Sequence, residues 1–141
     1  MQKAVQAANS TVYRLLLFGK DNAMNTTDEL CRIINTMKLV RSVSLENYYN
    51  IQRDRFEKVL TVVFSPELVY YGERLLTVRF SNTVNADIGG MLSVYSPYVE
   101  ICDISEYGWE NIHYRISEIE GHFDFKFESF SYEWSEPIEI S

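Results

Sequence analysis

The sequence predicts an α+β fold, with an N-terminal helix or helices packed on a twisted antiparallel β-sheet of five to seven strands. Three observations lead there. A capped helical stretch lies near the N-terminus, a period of two takes over from Val43 onward, and alternating β and α units are missing. The 141 residues suit a single domain over 1–141, a length at which folding removes roughly 68% of the unfolded surface from water. A content of 46% hydrophobic and 14% aromatic residues supplies a core without staples, whereas disordered chains are poor in both.

Taken in order, Gln2 to Ser10 is alanine-rich and reads as helix, and Val12 to Phe18 reads as its continuation or as a strand. Gly19-Lys20-Asp21-Asn22 is a break. Val12 to Phe18 contains Arg14 and is shorter than a signal h-region with its flanks, and no segment approaches the ~20 apolar residues of a membrane span. A cytoplasmic location is therefore expected. Met24 offers an alternative start that makes residues 1–23 a dispensable leader. Thr26 and Glu29 then have capping-box spacing, and Leu30, Ile33, Ile34 and Met37 follow on one helical face. This predicts a helix from Thr27 to Leu39 that backs the sheet.

Phe56 to Phe64 and Leu75 to Phe80 are rich in β-branched and aromatic residues and read as strands, with Pro66 marking where the chain leaves a sheet. Asn82 to Gly90 reads as a loop, Met91 to Tyr95 and Tyr98 to Ile104 as strands around Pro97, and Ile112 to Ser117 as a strand with Ile112, Tyr114 and Ile116 on one face. Phe123, Phe125 and Phe127 alternate with polar residues. The aromatics then change parity to Phe130, Tyr132 and Trp134. A two-residue hairpin at Glu128-Ser129 would need Gly or Asn, so a β-bulge in one long strand is the favoured reading. The alternative is a strand that leaves one partner, turns a corner and packs its second half elsewhere. Either places Asp124, Glu128 and Glu133 on the polar side.

No stretch specifies a reaction. The histidines, His113 and His122, are not at ligand spacing, so neither metal nor cofactor is expected. There is no GxSxG, and Cys31 and Cys102 read as small buried hydrophobes. Glu118 and Glu120 read as solvated charges, and Gly89-Gly90 lacks a phosphate-binding frame.

The net charge of -7 is unevenly placed. Residues 1–99 hold 11 basic and 9 acidic side chains, and residues 100–141 hold 2 and 11. Such a block repels phosphate backbones and membranes and steers basic proteins towards it. No direct nucleic-acid or membrane partner is expected. Tyr107, Trp109, Tyr132 and Trp134 combine apolar area with a polar handle, a residue type that dominates interfaces. Trp134, in phase with Phe130 and Tyr132, reads as core. Trp109 and Tyr107 read as a partner-binding anchor, with Glu106, Glu110, Glu118 and Glu133 pairing with the partner's Lys or Arg.

Tyr107 to Phe130, YGWENIHYRISEIEGHFDFKFESF, resembles the C-terminal half of small bacterial immunity proteins of polymorphic and contact-dependent growth inhibition toxin systems. The shared pattern is a strand like Ile112 to Ile116, a tight turn, and an aromatic-alternating strand like Phe123 to Phe127. The resemblance implies a non-enzymatic inhibitor of a cognate toxin, often a basic nuclease, whose active or access surface it occludes. It carries over no individual binding residue. Two other classes share the small size, the acidic third and the lack of a reaction motif: a phage-type nucleic-acid mimic and a self-associating structural subunit, so homo-oligomerisation stays open.

Overall fold

The computed structural model describes residues 26–66, 73–108 and 110–137. The expectations for Gln2 to Phe18, for a leader over 1–23 and for Trp109 lie outside the described residues. The chain divides after Arg32 into two compact units, and the architecture below is that of Ile33–Ser141.

The predicted helix is present but shorter than expected. Helix α1 spans Thr26–Ile34, with Leu30 and Ile34 fully buried. It stops because the next turn tightens: the amide and hydroxyl of Thr36 both donate to the Ile33 carbonyl, and the Met37 amide donates to Ile34. Lys38 is then free to give its N–H to the Ser65 carbonyl. The chain enters a strand at Leu39, where the helix was expected to end.

Eight strands follow among the described residues, in two antiparallel sheets of four, which corrects the expectation of five to seven strands in one sheet. β1 (Leu39–Asn50), β2 (Arg55–Ser65), β3 (Leu76–Ser81) and β8 (Ser129–Trp134) form the first sheet in that order. β4 (Val84–Asp87), β7 (Asp124–Phe127), β6 (Tyr114–Glu118) and β5 (Val99–Asp103) form the second. Residues expected as loop at Asn82 to Gly90 thus include β4. Met91 to Tyr95, expected as strand, is a single 3-10 turn at Met91–Ser93 followed by one bridge from Tyr95 to Leu39. Gly90 permits that turn, since a Cβ there would stand 2.7 Å from the His122 carbonyl.

The parity change has a physical answer, and it is the corner rather than the favoured bulge. β7 pairs with β4 and β6 in the second sheet, and β8 pairs with β3 in the first. The chain crosses between sheets at Glu128. β3 and β4 make the same crossing at Asn82-Thr83. Ser81 lies opposite Ser129 and Val84 opposite Lys126, each strand advancing three residues, so the two form one continuous antiparallel ribbon bent across both sheets. Orthogonal sheet packings use such switching strands to make their corners. Asn82 sits at φ 53, a left-handed conformation that Asn tolerates better than most residues.

The inner faces of the two sheets meet in an aromatic core. Leu60, Val62, Phe64, Leu76, Val78 and Phe80 come from the first sheet; Ile116, Phe125 and Phe127 come from the second. Phe80 meets Phe125 and Phe127 edge-on, each with ring centroids 4.9 Å apart, and so joins the sheets directly. Phe130, Tyr132 and Trp134 lie opposite Phe80, Val78 and Leu76 on the inner face. Trp134, expected in the core, is exposed at the end of an edge strand. Phe80→Ala should cost about 3–5 kcal/mol of stability in urea unfolding. A double-mutant cycle with Phe125→Ala should return a coupling of about 0.5–1.5 kcal/mol, the amount ascribed to an edge-on aromatic pair beyond its buried area.

Candidate functional site

The crossing organises the surface around it. The Glu128 amide donates to the Ser81 carbonyl, and its carboxylate accepts from the Asn82 side chain, so the two switching strands are tied to each other. Thr83 closes the other side: its amide reaches the Lys58 carbonyl and its hydroxyl the Phe80 carbonyl.

An arm projects beside this corner. β3 covers β2 only from Val59 to Phe64, so Arg55–Lys58 and their β1 partners Asn47–Asn50 run beyond the sheet. The arm ends in a turn over residues 51–54, with Asp54 at φ 54. Ile51 is 82% exposed and Phe56 69%, and Tyr48 and Tyr49 are exposed as well. Tyr49 packs edge-on against Phe56 and its hydroxyl donates to Asp54.

Arg53 pins the tip. Its guanidinium forks onto both oxygens of Glu128 at 2.7 and 2.6 Å and gives a further bond of 3.0 Å to Glu57. Bidentate, charge-assisted geometry of this kind is the strong form of the ion pair. Glu128 first, and Glu57 second, hold the guanidinium above its ordinary pKa. Burial would raise the Glu57 carboxyl, but bonds from Asn50, Arg53 and Arg55 outweigh it and hold it below the usual range. Glu128→Ala should therefore speed hydrogen exchange of the Tyr48–Phe56 amides while leaving exchange in β6 unchanged. Exchange rising equally in both would place the role of Glu128 in global stability instead.

The acidic loop lies next to the same corner. The His113 amide donates to Phe127, immediately before Glu128, and the Ile104 amide donates to His113. Between them a 3-10 turn at Ser105–Tyr107 ends on Gly108 at φ 81, a left-handed cap. Tyr107 is 68% exposed, and Glu106 and Glu110 are exposed with it. The Ser105 hydroxyl and then its amide hold Asp103 below the usual carboxylate range. Residues 103–112 contain no Lys or Arg.

Two expected site residues do not join this loop. Glu118 is a correction: it lies in phase with Ile116 on the inner face and is only 5% exposed, so it is not a surface charge open to a partner's cation. One oxygen accepts from the amides of Glu120 and His122 and meets His122 Nδ1 at 2.8 Å, and the other accepts from Tyr98. It shapes the β6–β7 turn, at the opposite end of β6 from the acidic loop. Glu133 stands in the other sheet, 3.8 Å from Arg79. Cys102, expected to be buried, is exposed.

Ligand-type atoms of Glu118, Glu120 and His122 lie within 4.8 Å of one another. The sequence spacing had not suggested this grouping, because a turn rather than a helix brings them together. The Glu118 oxygens are taken up by internal donors. Burial pushes the Glu118 carboxyl up, but the bonds from His122, Tyr98 and Glu120 overcome it and leave the pKa lowered. Its stabilisation is intact above the ordinary value of 4.5 and is lost as pH falls through the lower folded value. Glu118→Gln should cost about 1–3 kcal/mol at neutral pH. It should also flatten the acid side of the stability profile relative to the parent, read as urea midpoints between about pH 6 and about pH 3.

No helix among the described residues is long and apolar enough to cross a membrane. Comparison of the chain with family models, with curated proteins and with solved structures returned no match.

Proposed function

We propose that the chain is a non-enzymatic, immunity-type binding protein of the cytoplasm that neutralises a cognate basic toxin by covering its active or access surface. The observation that carries this reading is the loop of residues 103–113. An exposed tyrosine stands among Asp103, Glu106 and Glu110, with no basic residue before His113, on a loop tied by hydrogen bonds to the Phe127 end of the second sheet. Carboxylates on such a loop attract a cationic partner over a distance, and a tyrosine supplies apolar area with a hydroxyl at its end. Trp109, two residues after Tyr107 in sequence, is assigned to the same anchor. Glu118 is left out because it is buried, and Glu133 because it belongs to the other sheet.

The test begins with capture of proteins from the source cell's lysate on this chain at low and high salt. A retained basic protein is then expressed with and without the chain. Growth arrest relieved by co-expression supports the reading; a retained protein that is harmless when expressed alone overturns it. With that partner in hand, Trp109→Ala should weaken binding by about 2 kcal/mol if it is the anchor. Paired Glu106→Lys and Glu110→Lys should lower the association rate, and its salt dependence, more than they raise dissociation. Equal association rates for variant and parent would remove the steering role.

A further inference from the structure

We propose that the chain forms a symmetric dimer by pairing β1 antiparallel with β1 of a second copy, centred on Asn47, so that two arms join into one continuous sheet.

β1 is an edge strand of 12 residues. Near its start the edge is occupied, by the bridge from Leu39 to Tyr95 and the bond from the Ser96 amide to the Lys38 carbonyl. Beyond the register shift at Val40/Ser42, no described strand pairs with it. Long edges are ordinarily guarded by charges, proline or bulges. Val43–Asn50 carries one charge, Glu46, and no proline.

Which backbone groups face outward follows from the other bonds. The Lys58 carbonyl points away from β1, to Thr83, whereas the Ser65 carbonyl points towards β1, to Lys38. Even-numbered residues of β2 therefore bond away from β1 and odd-numbered ones towards it. Asn47 lies opposite Lys58, Leu45 opposite Leu60, Val43 opposite Val62 and Tyr49 opposite Phe56. These four β1 residues direct their N–H and C=O groups to the open edge.

A two-fold axis through Asn47 turns that edge onto itself. The Asn47 residues exchange backbone bonds with each other, and Leu45 does so with Tyr49 of the second copy. Val43 comes alongside the second copy's Ile51. On the opposite face Glu46 meets a tyrosine, Tyr48, and no like charges are opposed. The register thus gathers Leu45, Tyr49 and Ile51, exposed in the single chain, into one apolar strip flanked by Phe56. Centring on Leu45 instead would set Tyr49 against Arg41 and leave Ile51 uncovered. A symmetric interface must be self-complementary in this way, and this edge is.

The experiment uses the full chain and is independent of the toxin reading. Light scattering on a sizing column across a concentration series should show a dimer. Leu45→Lys, at a position already 42% exposed, should weaken it by more than about tenfold through a charge set on the paired edge, with circular dichroism unchanged. Asn47→Pro removes an outward N–H that β2 does not use and should act likewise. Asn47→Cys should give an oxidised dimer linked through the two introduced cysteines, since directly opposed, hydrogen-bonded residues stand about 5.5 Å apart at Cα, within disulfide reach. Mass spectrometry of linked peptides separates this bond from any through Cys31 or Cys102. A monomer at all concentrations, a dimer indifferent to Leu45→Lys, or linkage at other positions would each overturn the proposal. Slow exchange of the outward-facing Val43, Leu45, Asn47 and Tyr49 amides in a monomer would do so too, by showing that another part of the same chain covers the edge.

Discussion

Everything in the larger unit depends on two strands changing sheets at the same place. A ribbon that bends this sharply must find partners for the backbone groups at the bend, where neither sheet's ladder can serve them. Glu128 and Thr83 do this from opposite sides. Glu128 is unusual in serving the backbone and the surface together, through an amide on Ser81 and a carboxylate shared by Asn82 and Arg53. The aromatic contacts of Phe80 with Phe125 and Phe127 lie beside this bend on the inner face, so the sheets touch close to where the chain crosses between them.

The same corner explains how the two sheets come to carry an exposed arm. A hairpin that outruns its sheet has no third strand to hold it, and two-stranded ribbons are marginal in water on their own. The Arg53 fork supplies a tether at the tip, and the three bonds on Glu57 stiffen the tether's base. Aromatic and aliphatic side chains on the arm are thereby held at the surface. The acidic loop is held differently, by two ladder-like bonds through His113. The arm carries Arg53, Arg55 and Lys58 against Asp54 and Glu57, a small positive excess, and the charged residues of the loop are all acidic. Two surfaces of such different chemistry suit two different kinds of contact.

How much of this could be read from the residues alone varies with the reach of the interaction. Helix α1 and strands β2, β3, β5 and β6 were legible because their signals, a cap, a helical stripe and alternation, are local. The parity change after Phe127 marked the crossing without saying where the second half went, since strand order depends on partners more than 40 residues away. Glu118 was misread because alternation and charge disagree there: its phase is that of Ile116, its chemistry that of solvent. The His122 ring, with the converging amides of Glu120, His122 and Tyr98, makes a buried carboxylate tolerable there. β4 was missed because Val84-Asn85-Ala86-Asp87 has no strand composition and is a strand only because β7 lies beside it. The arm was hidden as well, for Tyr48, Tyr49 and Phe56 look like core residues until one knows that β3 stops short of them.

The bent ribbon also dictates an order of events during synthesis. β3 pairs with β8 across a gap of about 50 residues, and β4 with β7 across nearly 40, and contacts of such separation make folding slow. While the chain emerges, β1, β2 and β3 can form a meander, yet the outer edge of β3 stays open until Ser129–Trp134 leaves the ribosome. β4, β5, β6 and β7 can pair in the interval. A nascent chain halted before β8 would hold every strand of the second sheet but only three of the four in the first, with the Phe80 end of β3 unpaired on its outer edge. Closure of the first sheet therefore waits on β8, whichever strands have paired before it.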